Sequence, residues 1–407
     1  MLIVQPNSIL KCFHERKGNM IKVKVATHNI RGFLRQLFET KISDIEFEYL
    51  RQDLYEISSP IKMFILKILE SKIFDYLGVF QVITSKTLDG NMEFSYNRFL
   101  NTNKPYVIFL ENPAALVNYF WKRPNHRMTK YRLKTLFASP CLKSIICMSK
   151  VCKSGMESLY SIPGHLNITQ IYPLVKDDNN YSEIDAKRVA NGNIMECLYI
   201  SSAFYLKGGR DLLFVFKKLE EMHLNMQLTV ITRISDIRAD DMELIKNMTN
   251  VHLYEFNLNQ GELNEHYKKS SILLNPTRMD SFSLVTLEAI KYGCAIIATD
   301  MYAIREMVTP NINGYLFPPM YPLWRKNGLC NTYYLTHKKE TLNSVTLYTA
   351  LIGWMHNILV DLYHDRKKLA ELCVNSLRIA RNEDFSEKSI LAKWDTVIHE
   401  AVKASAI

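Results

Sequence analysis

An apolar run from Ile272 to Asn275 ends at Pro276, a helical pattern begins near Leu284 and reaches Tyr292, and a second apolar run follows Gly293, from Ala295 to Thr299. The order is strand, helix, strand, the unit from which parallel sheets covered on both faces are built. Ligands of such open sheets bind beyond the carboxyl ends of the strands. Here the connection carries two acids, Asp280 in the loop and Glu288 inside the helix. Ser281 and Ser283 stand where the helix starts and are expected as N-caps, so unpaired amides and the positive end of the helix should face the same cleft as Asp280. Such a helix end suits phosphate, and a carboxylate accepts hydrogen bonds from two adjacent hydroxyls. The ligand this describes is both phosphorylated and polyhydroxylated, as a nucleotide sugar is.

The same alternation extends along the whole chain. At 407 residues, 47% of them hydrophobic, the chain can bury two substantial cores. In the first half, strands are expected at Ile21 to Ala26, Phe80 to Thr84, Tyr106 to Leu110, Ser144 to Met148 and Ile168 to Tyr172. Helical patterns lie between them at Ile61 to Leu77, Lys130 to Phe137 and Val151 to Tyr160. Residues 1–175 therefore read as one Rossmann-like domain. The polar stretch Lys176 to Asn193 reads as a linker. Residues 194–380 read as a second doubly wound domain, with strands at Glu196 to Ser201, Gln227 to Ile231, Val251 to Phe256, Ile272 to Asn275, Ala295 to Thr299 and Tyr315 to Phe317. Residues 321–343 look like a surface insertion, and amphipathic patterns run on to about Ala404.

Asp280, Phe282, Glu288-Ala289, Gly293, Thr299-Asp300, Glu306 and Asn313-Gly314-Tyr315-Leu316, in that order and spacing, resemble the donor-site signature of the retaining GT-B glycosyltransferases of family 4, also called group 1. That family's pattern is Glu, seven residues, Glu; this chain has Asp, seven residues, Glu. The resemblance implies an α/β GT-B fold, two Rossmann-like doubly wound domains facing across a cleft, with acceptor held by the first and nucleotide sugar by the second. It also implies that residues 381–407, with Phe385-Ser386 and Trp394, form a closing helix that crosses back to the first domain. By position, Asp280 contacts the transferred sugar and Glu288 binds the ribose hydroxyls, while Ser281, Phe282, Ser283 and Leu284 form the loop at the donor. Ser283 replaces the Gly that commonly follows Phe, so its side chain crowds the approach that Gly permits. Lys207-Gly208 matches the family's diphosphate-binding Lys-Gly pair. The family's Arg is absent, since Ser201, Ser202 and Ala203 occupy the expected positions, and Arg210 or Arg233 is the expected substitute.

Retaining transfer in this family needs no protein nucleophile: the donor's own phosphate assists the acceptor hydroxyl. The work left to the protein is positional and electrostatic, and Asp280 and Lys207 are the residues expected to perform it. No cofactor is expected, nor a metal, because no Asp-x-Asp pair is evident and Asp240-Asp241 reads as a helix cap. In the first domain, Glu111 and Asn112 follow a strand where family members often carry His, and with His28 they are the acceptor-binding candidates.

The formal charge of +10 is carried by one half. Residues 1–175 hold 24 Lys and Arg against 13 Asp and Glu, and the remainder 27 against 28. An anionic partner of the first domain follows: phospholipid, an acidic saccharide carrier or nucleic acid. Tyr119 to Lys134 carries six basic residues, no acid and interleaved aromatics. That pattern fits a solvated face or a contact with an anionic membrane or lipid acceptor, with nucleic acid third because no readout element accompanies it. The eight cysteines form no metal-ligand spacing and read as free thiols of a reducing cytosol. Charged residues Lys11, Glu15 and Lys17 interrupt any signal-peptide run, and no apolar stretch is long enough to span a bilayer, so a cytoplasmic chain, peripheral at most on the inner face of a membrane, is expected. Two functions remain: a transferase passing sugar to a saccharide, lipid-linked or cell-envelope acceptor, and a catalytically weakened GT-B protein that binds nucleotide or glycan and acts through a partner.

Overall fold

The computed structural model describes residues 20–27, 30–49, 72–85, 90–325 and 328–404. Two parallel sheets of six strands each organise the chain. The first uses β1 (Ile21–Val25), β2 (Ile45–Glu48), β4 (Met92–Tyr96), β6 (Tyr106–Leu110), β7 (Leu142–Cys147) and β8 (Asn167–Gln170) in the order β2-β1-β4-β6-β7-β8, with β3 (Val82–Thr84) and β5 (Phe99–Asn101) paired beside it. The second uses β9 (Met195–Ser201), β10 (Met226–Thr232), β11 (Val251–Glu255), β12 (Ile272–Asn275), β13 (Ala295–Thr299) and β14 (Gly314–Phe317) in the order β11-β10-β9-β12-β13-β14. In each sheet the winding reverses beside the first strand, between β1 and β4 and between β9 and β12. Those switch points open crevices at the strands' carboxyl ends.

Helices cover the sheets: α1 (Gly32–Glu39), α2 (Lys72–Leu77), α3 (Arg127–Phe137) and α4 (Lys150–Leu159) in the first domain. The polar stretch between the domains holds α5 (Glu183–Ala190), started by a reciprocal capping box of Ser182 and Asp185. The second domain carries α6 (Gly209–Glu221), α7 (Ala239–Lys246), α8 (Gln260–Lys269), α9 (Leu284–Lys291) and α10 (Ile304–Met307). After β14 come α11 (Thr332–Thr336), α12 (Thr349–His364), α13 (Arg366–Asn382) and α14 (Glu387–Lys403). Of the expected helix Ile61 to Leu77, only 72–77 falls within the described residues.

The two domains are tied by polar contacts as well as by packing. Glu306, at the start of α10, accepts the backbone N–H groups of Lys150 and Val151, both at 2.8 Å, and the Tyr172 hydroxyl at 2.8 Å. A carboxylate of the second domain thus caps the amino end of α4 in the first, where the helix dipole favours it. Asp177, on the connection, pairs with the buried Lys291 of α9 at 2.5 Å. Helix α14 then returns to the first sheet. Trp394 packs against Phe94 and Phe109, with ring centroids 5.7 and 5.2 Å away, and Phe385 stacks on Tyr172 at 4.2 Å.

Two strands of the first sheet, β2 and β4, were not expected from sequence. Met-Glu-Phe-Ser-Tyr in β4 alternates apolar and polar residues, yet every position is buried, because Glu93 bonds the Ser85 hydroxyl and Ser95 donates to the Arg98 carbonyl at 2.7 Å. With Trp394 fully buried against Phe94 of β4 and Phe109 of β6, Trp394→Ala is expected to cost about 3–5 kcal/mol, read as a lower urea midpoint at unchanged m-value.

Candidate functional site

A cavity of about 360 Å³ lies where the two domains meet, and both switch points contribute to its wall. Its floor is the start of α9. Ser283, the residue before the helix, has φ +68, a left-handed conformation that glycine adopts freely and other residues adopt at a cost. The serine hydroxyl offsets that strain: Ser283 Oγ accepts from Asn275 Nδ2 at 2.8 Å and shares a 2.9 Å hydrogen bond with Thr286 Oγ1, all within the core. Neither serine caps the helix with its side chain. Asp280 organises the loop ahead of the helix, one carboxylate oxygen accepting the backbone N–H groups of Ser281, Phe282 and Ser283 at 2.9, 3.3 and 3.0 Å.

The other oxygen of Asp280 meets Lys207 Nζ at 2.6 Å, and the same ammonium donates to the Met279 carbonyl at 2.7 Å. Lys207 reaches this position from the loop after β9. Gly208 follows at φ +72, and a Cβ there would stand 2.2 Å from the Pro276 carbonyl oxygen, so the loop after β9 and the loop after β12 touch backbone to backbone at this glycine. Lys207, Gly208 and Asp280, far apart in sequence, are thereby brought together. Phe282 turns away into the core, 6.1 Å from the Tyr172 ring, and Leu284 opens α9 on the cavity wall.

Glu288 lies one turn along α9, outside the residues that line the cavity, and accepts the Tyr267 hydroxyl at 2.7 Å. Among the described residues no donor faces its second oxygen. Burial pushes its carboxyl up to about 7, against which the Tyr267 hydrogen bond acts only partly. Hydroxyl donors from a ligand would favour its ionised form.

From the first domain comes Glu111, at the end of β6. It accepts Tyr96 Oη at 3.0 Å, Tyr119 Oη at 2.8 Å and, across the cleft, the Ser281 hydroxyl. Burial raises the Tyr119 phenol well above its usual range, with Glu111 adding to the effect, so Tyr119 stays a neutral donor. Arg31, just before α1, lines the same wall, and the field of Tyr96, reinforced by Glu111, Tyr119 and Asp280, raises its pKa. Asn112 lines the cavity too, but its side chain accepts the Ala114 N–H at 3.1 Å and caps the following turn. Both Asn118 and Tyr119 sit at positive φ, 61 and 60, strain concentrated on a cavity wall.

Trp121, Trp324 and Lys338 are, like Arg31, lining residues that were not singled out by sequence. Trp324 belongs to the segment expected to be a surface insertion. Instead it donates Nε1–H to the Asp280 carbonyl at 2.7 Å, packs 4.2 Å from Tyr302 and meets Trp121 of the first domain edge to face at 5.7 Å. Aromatic residues in the basic stretch and in the insertion were the available signal; which of them face a cleft depends on the fold.

Other expectations are redirected. Arg210 does not reach the cavity: its guanidinium bonds Asp241 at 2.8 Å and the Val345 carbonyl, locking α6 to α7 and to the approach of α12. Arg233 pairs with Asp236 at 3.3 Å and lines a separate cavity of about 540 Å³ with Phe256 and Leu258 at the ends of β10 and β11. Neither stands beside Lys207, and the cations that share its cavity are Arg31 and Lys338. His28 lies outside the described residues. One trio of described side chains is spaced to share a cation, Asp44, Asp395 and His399, and none of the three lines this cavity.

Comparison with known proteins bears on the fold and on the sequence of the second domain. Residues 180–322 match the family model described as Glycosyl transferases group 1. Among solved structures, the sucrose-phosphate synthase of Thermosynechococcus elongatus superposes with a TM-score of 0.61 at 14% identity, over 95% of this chain and 100% of that one. The Anabaena protein Alr3699/HepE, solved with UDP and glucose, superposes at 0.53 and 13% identity, over 94% and 100%. TarM superposes at 0.51 and 12% identity over 77% of this chain, which spans only 56% of TarM's length. No curated protein matches by sequence. The fold is GT-B, and the group 1 glycosyltransferase resemblance lies in the sequence of the second domain.

Two substitutions test the local physics. Ser283→Ala keeps the left-handed strain and loses both hydroxyl contacts, whereas Ser283→Gly loses the contacts but relieves the strain; the glycine variant should be the more stable by about 1 kcal/mol in urea unfolding. Glu288 has a folded pKa above its unfolded one, so its burial weakens the fold progressively as pH rises from about 4.5 to about 7. Glu288→Gln should therefore gain stability over the parent across that window, on the order of 3 kcal/mol by pH 8, with little difference at pH 4.

Proposed function

We propose that this protein is a retaining glycosyltransferase that holds a nucleotide sugar on its second domain and transfers the sugar to a saccharide acceptor presented by the first. The observation that carries the reading is the convergence of Lys207, Asp280 and the start of α9 on one cavity closed from the opposite domain by Glu111. The family match of the second domain and the GT-B fold support it, as does a relative solved with UDP and glucose.

The geometry divides the work. Glu288, short of donors, accepts the ribose hydroxyls. Lys207 is released from Asp280 when a diphosphate arrives, and its ammonium stabilises the charge that develops on the leaving group. The N–H groups of Ser281 to Ser283, now held by Asp280, are the second source of positive potential. Freed from Lys207, Asp280 faces the sugar and stabilises an oxocarbenium-like centre, while the donor phosphate takes the acceptor proton on the face it leaves. Glu111, with Tyr119 and Tyr96, orients the acceptor hydroxyl. Arg31 and Lys338 take the place of the family's missing Arg. No metal or other cofactor is part of this scheme. A lipid-linked or cell-envelope saccharide is the acceptor class we favour, on the charge of the first domain.

A second reading, nucleotide or glycan binding without turnover, is favoured by one feature: Asp280 itself occupies the amides and the lysine that a diphosphate needs. Release of nucleoside diphosphate from a panel of nucleotide sugars, supplied with membrane extract as acceptor, separates the two. Transfer predicts release that falls about a hundredfold on Asp280→Asn, the usual scale for misplacing a reacting group. Nucleotide binding with no release from any donor would establish the second reading.

A further inference from the structure

The basic, aromatic stretch read from sequence as one surface is three structures. Tyr119 and Trp121 line the cavity. Arg123 and Arg132 are structural: Arg123 is fully buried over the Phe120 ring and pairs with Asp75 of α2 at 2.9 Å, and Arg132 donates to the Gly78 carbonyl at 2.8 Å from above Phe80. The remaining four, Lys122, Arg127, Lys130 and Lys134, are exposed.

Helix α2 lies against the start of α3. At the turn that ends α2, a Cβ on Gly78 would stand 2.7 Å from the Thr129 amide, so only glycine allows the two backbones to approach this closely. The approach sets the outer faces of both helices side by side. That shared face carries Ile73, Tyr76 and Leu77 at 70, 71 and 48% exposure and Met128 and Tyr131 at 45 and 68%. Five of the eleven large hydrophobics exposed among the described residues are gathered here. On α3 the buried Thr129, Leu133 and Phe137 point inward, while Arg127, Lys130, Tyr131 and Lys134 recur at helical spacing on the outside. The one acid within 72–85 and 119–138, Asp75, is neutralised by Arg123.

We propose that the α2–α3 face is a docking surface for an anionic lipid bilayer. Exposed apolar side chains ringed by unpaired bases, with no free acid, are complementary to acyl chains beneath negative headgroups. A protein partner of that size would gain little from four long basic side chains kept in water, whereas a bilayer accepts the rings and the bases at their own depths. The inference deepens the transferase reading, on which it rests for what the membrane delivers.

Flotation of the full chain with vesicles of phosphatidylcholine, with and without phosphatidylglycerol, tests it. Binding is expected only with the anionic lipid, and the triple variant Arg127→Gln, Lys130→Gln, Lys134→Gln should weaken it about a hundredfold. The pair Ile73→Ser, Tyr76→Ser should weaken it at unchanged charge, and Tyr131→Trp should add fluorescence that brominated lipid quenches. Equal binding to neutral vesicles, no binding to either, or variants that bind like the parent would overturn the proposal. Nucleoside diphosphate affinity, measured on the same variants, should be unchanged. Loss of vesicle binding with nucleotide binding intact removes this surface and leaves the transferase reading; vesicle binding without nucleotide affinity does the reverse.

Discussion

The loop that leads into α9 lies at the bottom of an interdomain cleft, and its consecutive amides have to find acceptors there. Asp280 meets that constraint by turning its carboxylate onto three consecutive N–H groups, and the rest of the site follows from it. Held in this way, the carboxylate presents its second oxygen to Lys207, which fixes the loop after β9 against the loop after β12. The shorter side chain of Asp is what permits the arrangement, since the acid must fold back on its own neighbours. Ser283 is part of the same solution: its strained backbone aims the amides, and its hydroxyl ties the strain to Asn275 and Thr286.

The free protein is therefore a self-complemented site. Cation, amides and acid satisfy one another, and a phosphorylated ligand must exchange with Asp280 for the positive groups. Domain contacts keep the exchange local. Ser281 bonds Glu111, and Trp324 joins the Asp280 carbonyl to Trp121, so the first domain touches the α9 loop through two separate contacts, while Glu306 holds α4 from α10.

The strands of the second domain were legible in the sequence to within a residue, most clearly the central β12 and β13, which are apolar runs buried on both faces; those at 272–275 and 295–299 coincide with the expected ones. The first sheet was legible only in part. Strand β4 hides its central place behind Glu93 and Ser95, whose burial depends on partners elsewhere in the chain, and β2 is too short to show a period. Of the motif residues, Lys207 and Asp280 line one cavity, whereas Glu288 lies on α9 outside its lining, against Tyr267. The roles expected of Arg210 and Arg233 failed to reach the cavity because a lone Arg in sequence does not reveal which carboxylate will claim it; Asp241 and Asp236 did. Trp324 and Lys338 come from a segment without regular period, and only the fold brings them to the cleft.

The proposed function requires Lys207 and Glu288 to hold opposite ends of a nucleoside diphosphate. Calorimetric titration of the common nucleoside diphosphates into the full chain tests it most directly. At least one should bind, with affinity reduced tenfold or more, about 1.4 kcal/mol, by Lys207→Ala and again by Glu288→Ala, while Arg233→Ala leaves the Lys207 dependence unchanged. Parent-like affinity in both the Lys207 and the Glu288 variants would contradict the account.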